Sequence, residues 1–440
     1  MFSVREFGAR GDKQSNDQAA IQAAIDACRQ AGGGRVTLPA GDYLSGMLRL
    51  YDHTTLHLDA GATLWASTDP ADYAQAHDYE RSGRLVVGTL LVADGAQHIA
   101  LTGTGIIHGQ GSADYGTRWG APDTPPFRTG ICLFENCHQV KIRDVTILHS
   151  DAWTVHLKHC ESVFIDGVTI LNNRHRLNSD GIDPNSCRDV HISNCHIIAG
   201  DDCIVLKSTE PAPCENIVIT NCTLETTCTA IKLGTESFGD FRDILVSNCV
   251  IRNTRTGIGF YLKDGATMER ITFSGLTVET EDFPIFIDVE RRYPDSRAGT
   301  IRDVTLHNVQ IKSSGGALIQ GMPESAIENL TLQTISLRID NPRDHAMRTK
   351  PKGSARCSPD ARDTLYACKP SYLTLAHING LTLDNIRIAT PEEGQVVHAA
   401  VGGYHLQNGI LRNVRRLPGS KDDQGKVIEL RDCNNISILD

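Results

Sequence analysis

From residue 140 onward, apolar and polar positions alternate in short segments of the form V-x-I-x-(N/D/G)-x-x-I, at 140–147, 163–170, 190–197, 217–224, 244–251 and 271–278. Their fifth positions are Asp144, Gly167, Asn194, Asn221, Asn248 and Gly275, so the copies are spaced by 23 residues once and by 27 four times. Weaker copies follow at 304–311, 330–337 and 381–388. Each copy is short, rich in β-branched side chains and of period two, which predicts strands rather than helices. A repeat of this length predicts a solenoid. The expected architecture is all-β: a right-handed parallel β-helix of roughly ten coils, forming a single domain over 1–440.

The first sixty residues depart from the repeat and read as its N-terminal cap and first strands. Over 17–30, Ala20, Ile21, Ala24, Ile25 and Cys28 fall on one helical face, with Asn16 or Asp17 placed as N-cap and Gly32 to Gly34 as the stop. Such a helix would cover the open end of the first coil, whose exposed edge otherwise invites aggregation. Strands around Val36-Thr37-Leu38 and over 55–58 would then start the solenoid. The stretch 338–372 interrupts the repeat with four prolines and many basic residues, and reads as an irregular insertion that could fold over one end of a groove. The long 69–84 stretch could form the opposite wall.

The chain has 14 cysteines. Cys137, Cys160, Cys187 and Cys214 precede the central residue of their copies by five positions, while Cys195, Cys222 and Cys249 follow the fifth positions. Two columns of stacked thiols follow. In-register neighbours about 4.8 Å apart with parallel Cβ vectors make a poor disulfide, so both columns read as apolar packing. Cys357 and Cys368 flank a polar loop and could bridge in an exported protein.

A net charge of −10 and a pI near 5.9 argue against nucleic acid and anionic membranes as partners. No apolar run reaches 18 residues. The first residues carry no hydrophobic signal core, so the protein is expected to be either cytoplasmic or one whose export signal is missing from this chain. Oligomeric state is left open.

Several motifs occur in order. They are Phe7-Gly8-Ala9 with Gly11-Asp12, Leu38-Pro39-Ala40-Gly41, Gly103-x-Gly105 with Gly109-Gln110-Gly111, Trp153-Thr154-Val155-His156, Asn178-Ser179-Asp180 and Gly200-Asp201-Asp202-Cys203. The set resembles glycoside hydrolase family 28, the polygalacturonase and rhamnogalacturonase group, from about residue 4 to beyond residue 270. The resemblance implies a right-handed β-helix, hydrolysis of pectic polysaccharide with inversion at the anomeric carbon, and a secreted or periplasmic location.

Aligning the coils puts Trp153, Asp180, Asp202 and Thr229 on successive rungs of one column, with Ala152, Ser179, Asp201 and Cys228 beside it. Asp180 and Asp202, about 4.8 Å apart, could share one water. Inverting hydrolysis needs an acid and a base about 6.5–9.5 Å apart with room for that water. Asp201, flanked by two like charges, is expected to hold a proton. By that logic and by the resemblance, Asp201 is the general acid and Asp180 with Asp202 the base pair. No metal or cofactor is implied. A regular strand would turn Asp201 and Asp202 to opposite faces, so Gly200 or a bulge must rotate the backbone between them. Asp183 and His156 read as buried structural residues.

Two departures from the family pattern bear on the substrate. Its Gly-His-Gly is replaced by Thr227-Cys228-Thr229, and its Arg-Ile-Lys by Tyr261-Leu262-Lys263. An arginine clamps a uronate with two parallel bonds and tyrosine does not, so strong selection for galacturonate at that subsite is not expected, and only the lysine of the motif remains. Lys263, Arg174, Arg176, Asn178 and Trp153 are the expected substrate contacts. A β-helical polysaccharide lyase, with a basic catalytic residue and calcium, is the first alternative to a glycosidase. A noncatalytic carbohydrate-binding or tailspike-like protein is the second.

Overall fold

A strand buries its apolar alternation in a solenoid only if the chain turns sharply at each end. The computed structural model shows how it does so. The fifth position of every copy has a left-handed backbone: φ is +64° at Asp144, +67° at Gly167, +56° at Asn194, +55° at Asn221, +53° at Asn248 and +67° at Gly275. Asn308, Thr334 and Asn385 do the same in the weaker copies. Glycine, asparagine and aspartate tolerate this conformation at least cost, which explains the residue types in that column. A second left-handed corner precedes each copy, at Gln139, Ser162, Asp189, Asn216, Asp243 and Arg270.

The structure describes residues 1–74, 76–77, 86–111, 127–293, 295–340, 371–389, 398–417 and 425–440. Cys357, Cys368, most of the 338–372 insertion and the far part of 69–84 lie outside them, so the two groove walls and the proposed bridge do too. The chain divides into two compact units, Met1–Val205 with Cys222–Thr227 and Leu206–Asn221 with Cys228–Asp440.

Both units are right-handed parallel β-helix built on the repeat that the sequence sets out. In the first, Val140 pairs with Val163 and Val163 with Val190. In the second, Ile217 pairs with Ile244, Ile244 with Ile271, Ile271 with Val304, Val304 with Leu330 and Leu330 with Leu381. The last pairing skips the whole 338–372 insertion without loss of register. Inward residues such as Val140, Ile142, Val163, Ile165, Val190 and Ile192 are fully buried. Stacking like on like in this way removes each coil's apolar face from water, which one coil could not do alone.

The cap forms as expected, with one correction. Helix α1 spans Gln18–Gln30, buries Ile21, Ala24, Ile25 and Cys28, and packs on strands Phe2–Ser3, Gly34–Leu38 and Leu48–Arg49. Gly34–Leu38 pairs in parallel with Thr54–Leu58. Asp17 occupies the N-cap position but its side chain does not cap the helix. It accepts instead from the amides of Arg10 and Gly11 at 2.6 and 2.8 Å, tying down the preceding turn. The Asn16 carboxamide oxygen accepts from the Gln18 amide at 3.0 Å. Among the described residues no helix is long and apolar enough to cross a membrane.

The thiol columns are present. Glu161 N donates to Cys137 O and Arg188 N to Cys160 O, which stacks Cys137, Cys160 and Cys187 rung by rung. Thr223 N donates to Cys195 O, stacking Cys195 on Cys222. The seven column cysteines are buried and none of the described cysteines forms a disulfide.

Candidate active site

In the first unit two strands of one sheet face, Val155–Lys158 and Ile182–Asn185, pair with Val155 opposite Ile182. The residues just before them continue that register. Thr154 N donates to Asp180 O at 3.0 Å, and Gly181 N and Ile182 N donate to Asp202 O and Cys203 O, each at 2.9 Å. Trp153, Asp180 and Asp202 therefore occupy consecutive rungs, as the coil alignment expects. Asp180 and Asp202 are buried, at 2% and 1% exposure, while Asp201 is half-buried.

The alternation problem at Asp201 and Asp202 is absent because neither lies in a strand. His196–Ala199 ends before Gly200 and Ile204–Ser208 begins after Cys203. Residues 200–203 form a bend in which the two carboxylates come within 4.8 Å of each other. Gly200 makes the bend possible. A Cβ there would meet Arg176 O at 2.2 Å, Asn173 O at 2.5 Å and Ser179 Oγ at 2.6 Å. The Asp201 carboxylate accepts from the Asn178 amide at 3.3 Å and the Asp202 amide at 3.0 Å, and its carbonyl accepts from Thr226 Oγ1.

The 172–179 loop is tied to this bend by side chains. Ser179 Oγ donates to Arg176 O at 2.8 Å and accepts from Gly200 N at 3.1 Å. Asn172 accepts from Ser150 N and donates to Thr154 Oγ1 and Ser179 O. Thr227 Oγ1 lies 3.0 Å from both Arg174 O and Gly200 O.

Of the expected substrate contacts in this unit, several already have protein partners. Arg176 is buried and ion-paired with Asp151. Arg174 pairs with Glu225 at 3.0 Å and stays one-third exposed. Asn178, left-handed at φ +55°, accepts from Arg128 at 3.1 Å. Trp153 is 8% exposed and meets His156 edge-on, ring centres 4.8 Å apart. His156 stands opposite the fully buried Asp183 and contacts the Asn185 amide nitrogen at 3.4 Å, in keeping with structural roles for both.

In the second unit, Lys263 is buried and donates to Glu290 at 2.7 Å. Tyr261 packs on Phe286 at 5.0 Å, with the Lys232 ammonium 5.1 Å over its ring.

Sequence reasoning missed Arg128, Asp151, Asn172, Thr226 and Thr227. A usable signal exists for Asp151, which stands one repeat before Asn178. Arg128 stands one repeat before Asp151.

A family model described as "Glycosyl hydrolases family 28" matches residues 28–353. A probable polygalacturonase of Vitis vinifera is 31% identical over 221 residues, which is 47% of this chain and 44% of that protein. The chain thus covers less than half the length of that relative. Among solved structures, an exopolygalacturonase from Thermotoga maritima superposes with a TM-score of 0.67 at 23% identity, over 77% of this chain and 87% of that one. A family 28 exopolygalacturonase from Yersinia enterocolitica gives 0.66 at 18% identity, over 99% and 78%. At these identities the structural likeness speaks to the fold.

Proposed function

Because the chain belongs to glycosyl hydrolases family 28, we propose that it hydrolyses an α-glycosidic bond in a pectic or related poly- or oligosaccharide, with inversion at the anomeric carbon. The observation that carries this is the trio in one bend region: buried Asp180 and Asp202 on adjacent rungs, with half-buried Asp201 beside them. Asp201 gives its proton to the glycosidic oxygen as the bond to the anomeric carbon breaks. Asp180 and Asp202 take a proton from the water whose oxygen forms the new bond from the opposite face, so atoms and charge balance.

A pectic substrate lies outside the cell, so we place the protein in the periplasm or beyond. Two curated relatives, an exopolygalacturonase of Platanus acerifolia (26% identical over 212 residues) and an exo-poly-alpha-D-galacturonosidase of Dickeya chrysanthemi (36% identical over 120 residues), are named for chain-end action, which favours release of small products from a chain end. Incubation with a panel of pectic oligosaccharides tests these points together. Steady release of one small saturated product is expected. An early ladder of intermediate oligomers contradicts chain-end action, and an unsaturated, ultraviolet-absorbing product contradicts hydrolysis. Asp201→Asn should lower kcat by about 10²- to 10⁴-fold with folding intact. Full activity in that variant, or loss of wild-type activity to a chelator, would refute the acid/base assignment.

A further inference from the structure

Arg128 is one of the most deeply buried charged side chains in the first unit, at 1% exposure. It begins a column of polar residues taken from successive rungs. Its Nε donates to Asp151 at 3.3 Å, its Nη1 to the Asn178 carboxamide oxygen at 3.1 Å, and its Nη2 to Leu177 O. Asn178 in turn donates its amide hydrogen to the Asp201 carboxylate at 3.3 Å. Arg176, from the same loop, bonds the same Asp151 oxygen, Oδ1. Two buried guanidiniums thus meet on one carboxylate. A planar fork that grips the 177 carbonyl and the 178 side chain together fixes both ends of the corner, as a lysine could not.

We propose that Arg128 is a positioning residue for the reaction: it fixes the 177–178 corner so that the Asn178 amide stays on the Asp201 carboxylate. An amide donor held on the carboxylate favours the ionised form of Asp201. It therefore limits how strongly that carboxyl holds the proton it must release to the leaving oxygen. The catalytic meaning rests on the reading of Asp201 as general acid. The geometric link from Arg128 to Asp201 does not.

The test compares the wild type with Arg128→Met, which removes fork and charge, and Arg128→Lys, which keeps the charge. Protein carrying ¹³C-carboxyl aspartate, assigned through Asp201→Asn, is titrated by NMR. The Asp201 midpoint should rise by about one pH unit in Arg128→Met and by less in Arg128→Lys. On the substrate found by the oligosaccharide panel, Arg128→Met should lose about 10- to 100-fold in kcat with little change in KM, and its alkaline limb should move up with the midpoint. Should Arg128→Met fail to fold, Asn178→Gly keeps the left-handed corner and the Arg128–Asp151 pair but deletes the carboxamide, and should shift the midpoint the same way by less. An unshifted Asp201 midpoint in a folded variant overturns the proposal. A shifted midpoint in a protein that cleaves no pectic substrate upholds the positioning and overturns the proposed function instead.

Discussion

Gly200→Ala tests the bend that brings Asp201 and Asp202 together. An added Cβ would lie 2.2 Å from Arg176 O and 2.5 Å from Asn173 O, both backbone atoms of the 172–179 loop. To reach even a tight 3.0 Å contact, the Arg176 carbonyl must retreat by roughly 0.8 Å. It cannot retreat alone, because Ser179 Oγ bonds both Arg176 O and Gly200 N, and Asn178, two residues on, holds the Asp201 carboxylate. Overpacking of this kind costs about 1–3 kcal/mol. For a chain of 440 residues the unfolding entropy is about 0.9 kcal/mol per degree, so Tm should fall by only about 1–3 °C. Displacing an acid by most of an ångström should cost far more in rate, about 10- to 100-fold in kcat. Differential scanning calorimetry and initial rates on the best pectic substrate measure the two effects side by side. Wild-type kcat in Gly200→Ala would refute the reasoning, since the loop would then have absorbed the methyl without moving Asp201. A Tm drop of ten degrees or more would also contradict it, by showing that the bend supports the coil stack rather than the site.

Two further outcomes are expected. His108 stacks on Trp65 at 4.2 Å, accepts from the Gln110 amide at 3.0 Å, and is held down to about 4, first by burial and then by His149 and Lys13. The unfolded chain therefore binds more protons than the native one between about pH 4 and 6.5, and stability should fall as pH drops through that window. Discounted for solvent from a ceiling near 3 kcal/mol to about 1 kcal/mol, the effect should appear as a smaller acid-induced drop in Tm for His108→Gln than for wild type. An identical pH dependence in the two proteins would remove His108 from the account. Thiol titration of protein denatured without reductant should find at least the twelve described free cysteines reactive. Fewer than twelve would mean that described cysteines, the columns among them, close into disulfides despite the parallel Cβ vectors of the columns.

The repeat, its register and its corners were legible in the sequence because they are local. Asn194, Asn221 and Asn248 are there because the backbone turns left-handed at those positions, and the alternation around Ile192 or Ile219 is fixed by the two-residue period of a strand. That Asp180, Asp201 and Asp202 come together could be read for the same reason, since counting residues along the repeat counts rungs. The sequence could not say that the 200–203 bend lies outside any strand, although Gly200 marks it. Nor could it tell which cations face a ligand. Arg176 and Lys263 read as cleft residues, yet one is bound to Asp151 and the other to Glu290. Arg128, unremarked in its strand, proved to be the buried centre of the network beside Asp201. A charged side chain survives burial only when a partner from another coil compensates its lost hydration. That partner lies 23 to 50 residues away for Arg128 and 27 for Lys263, so only the stacked coils could decide it.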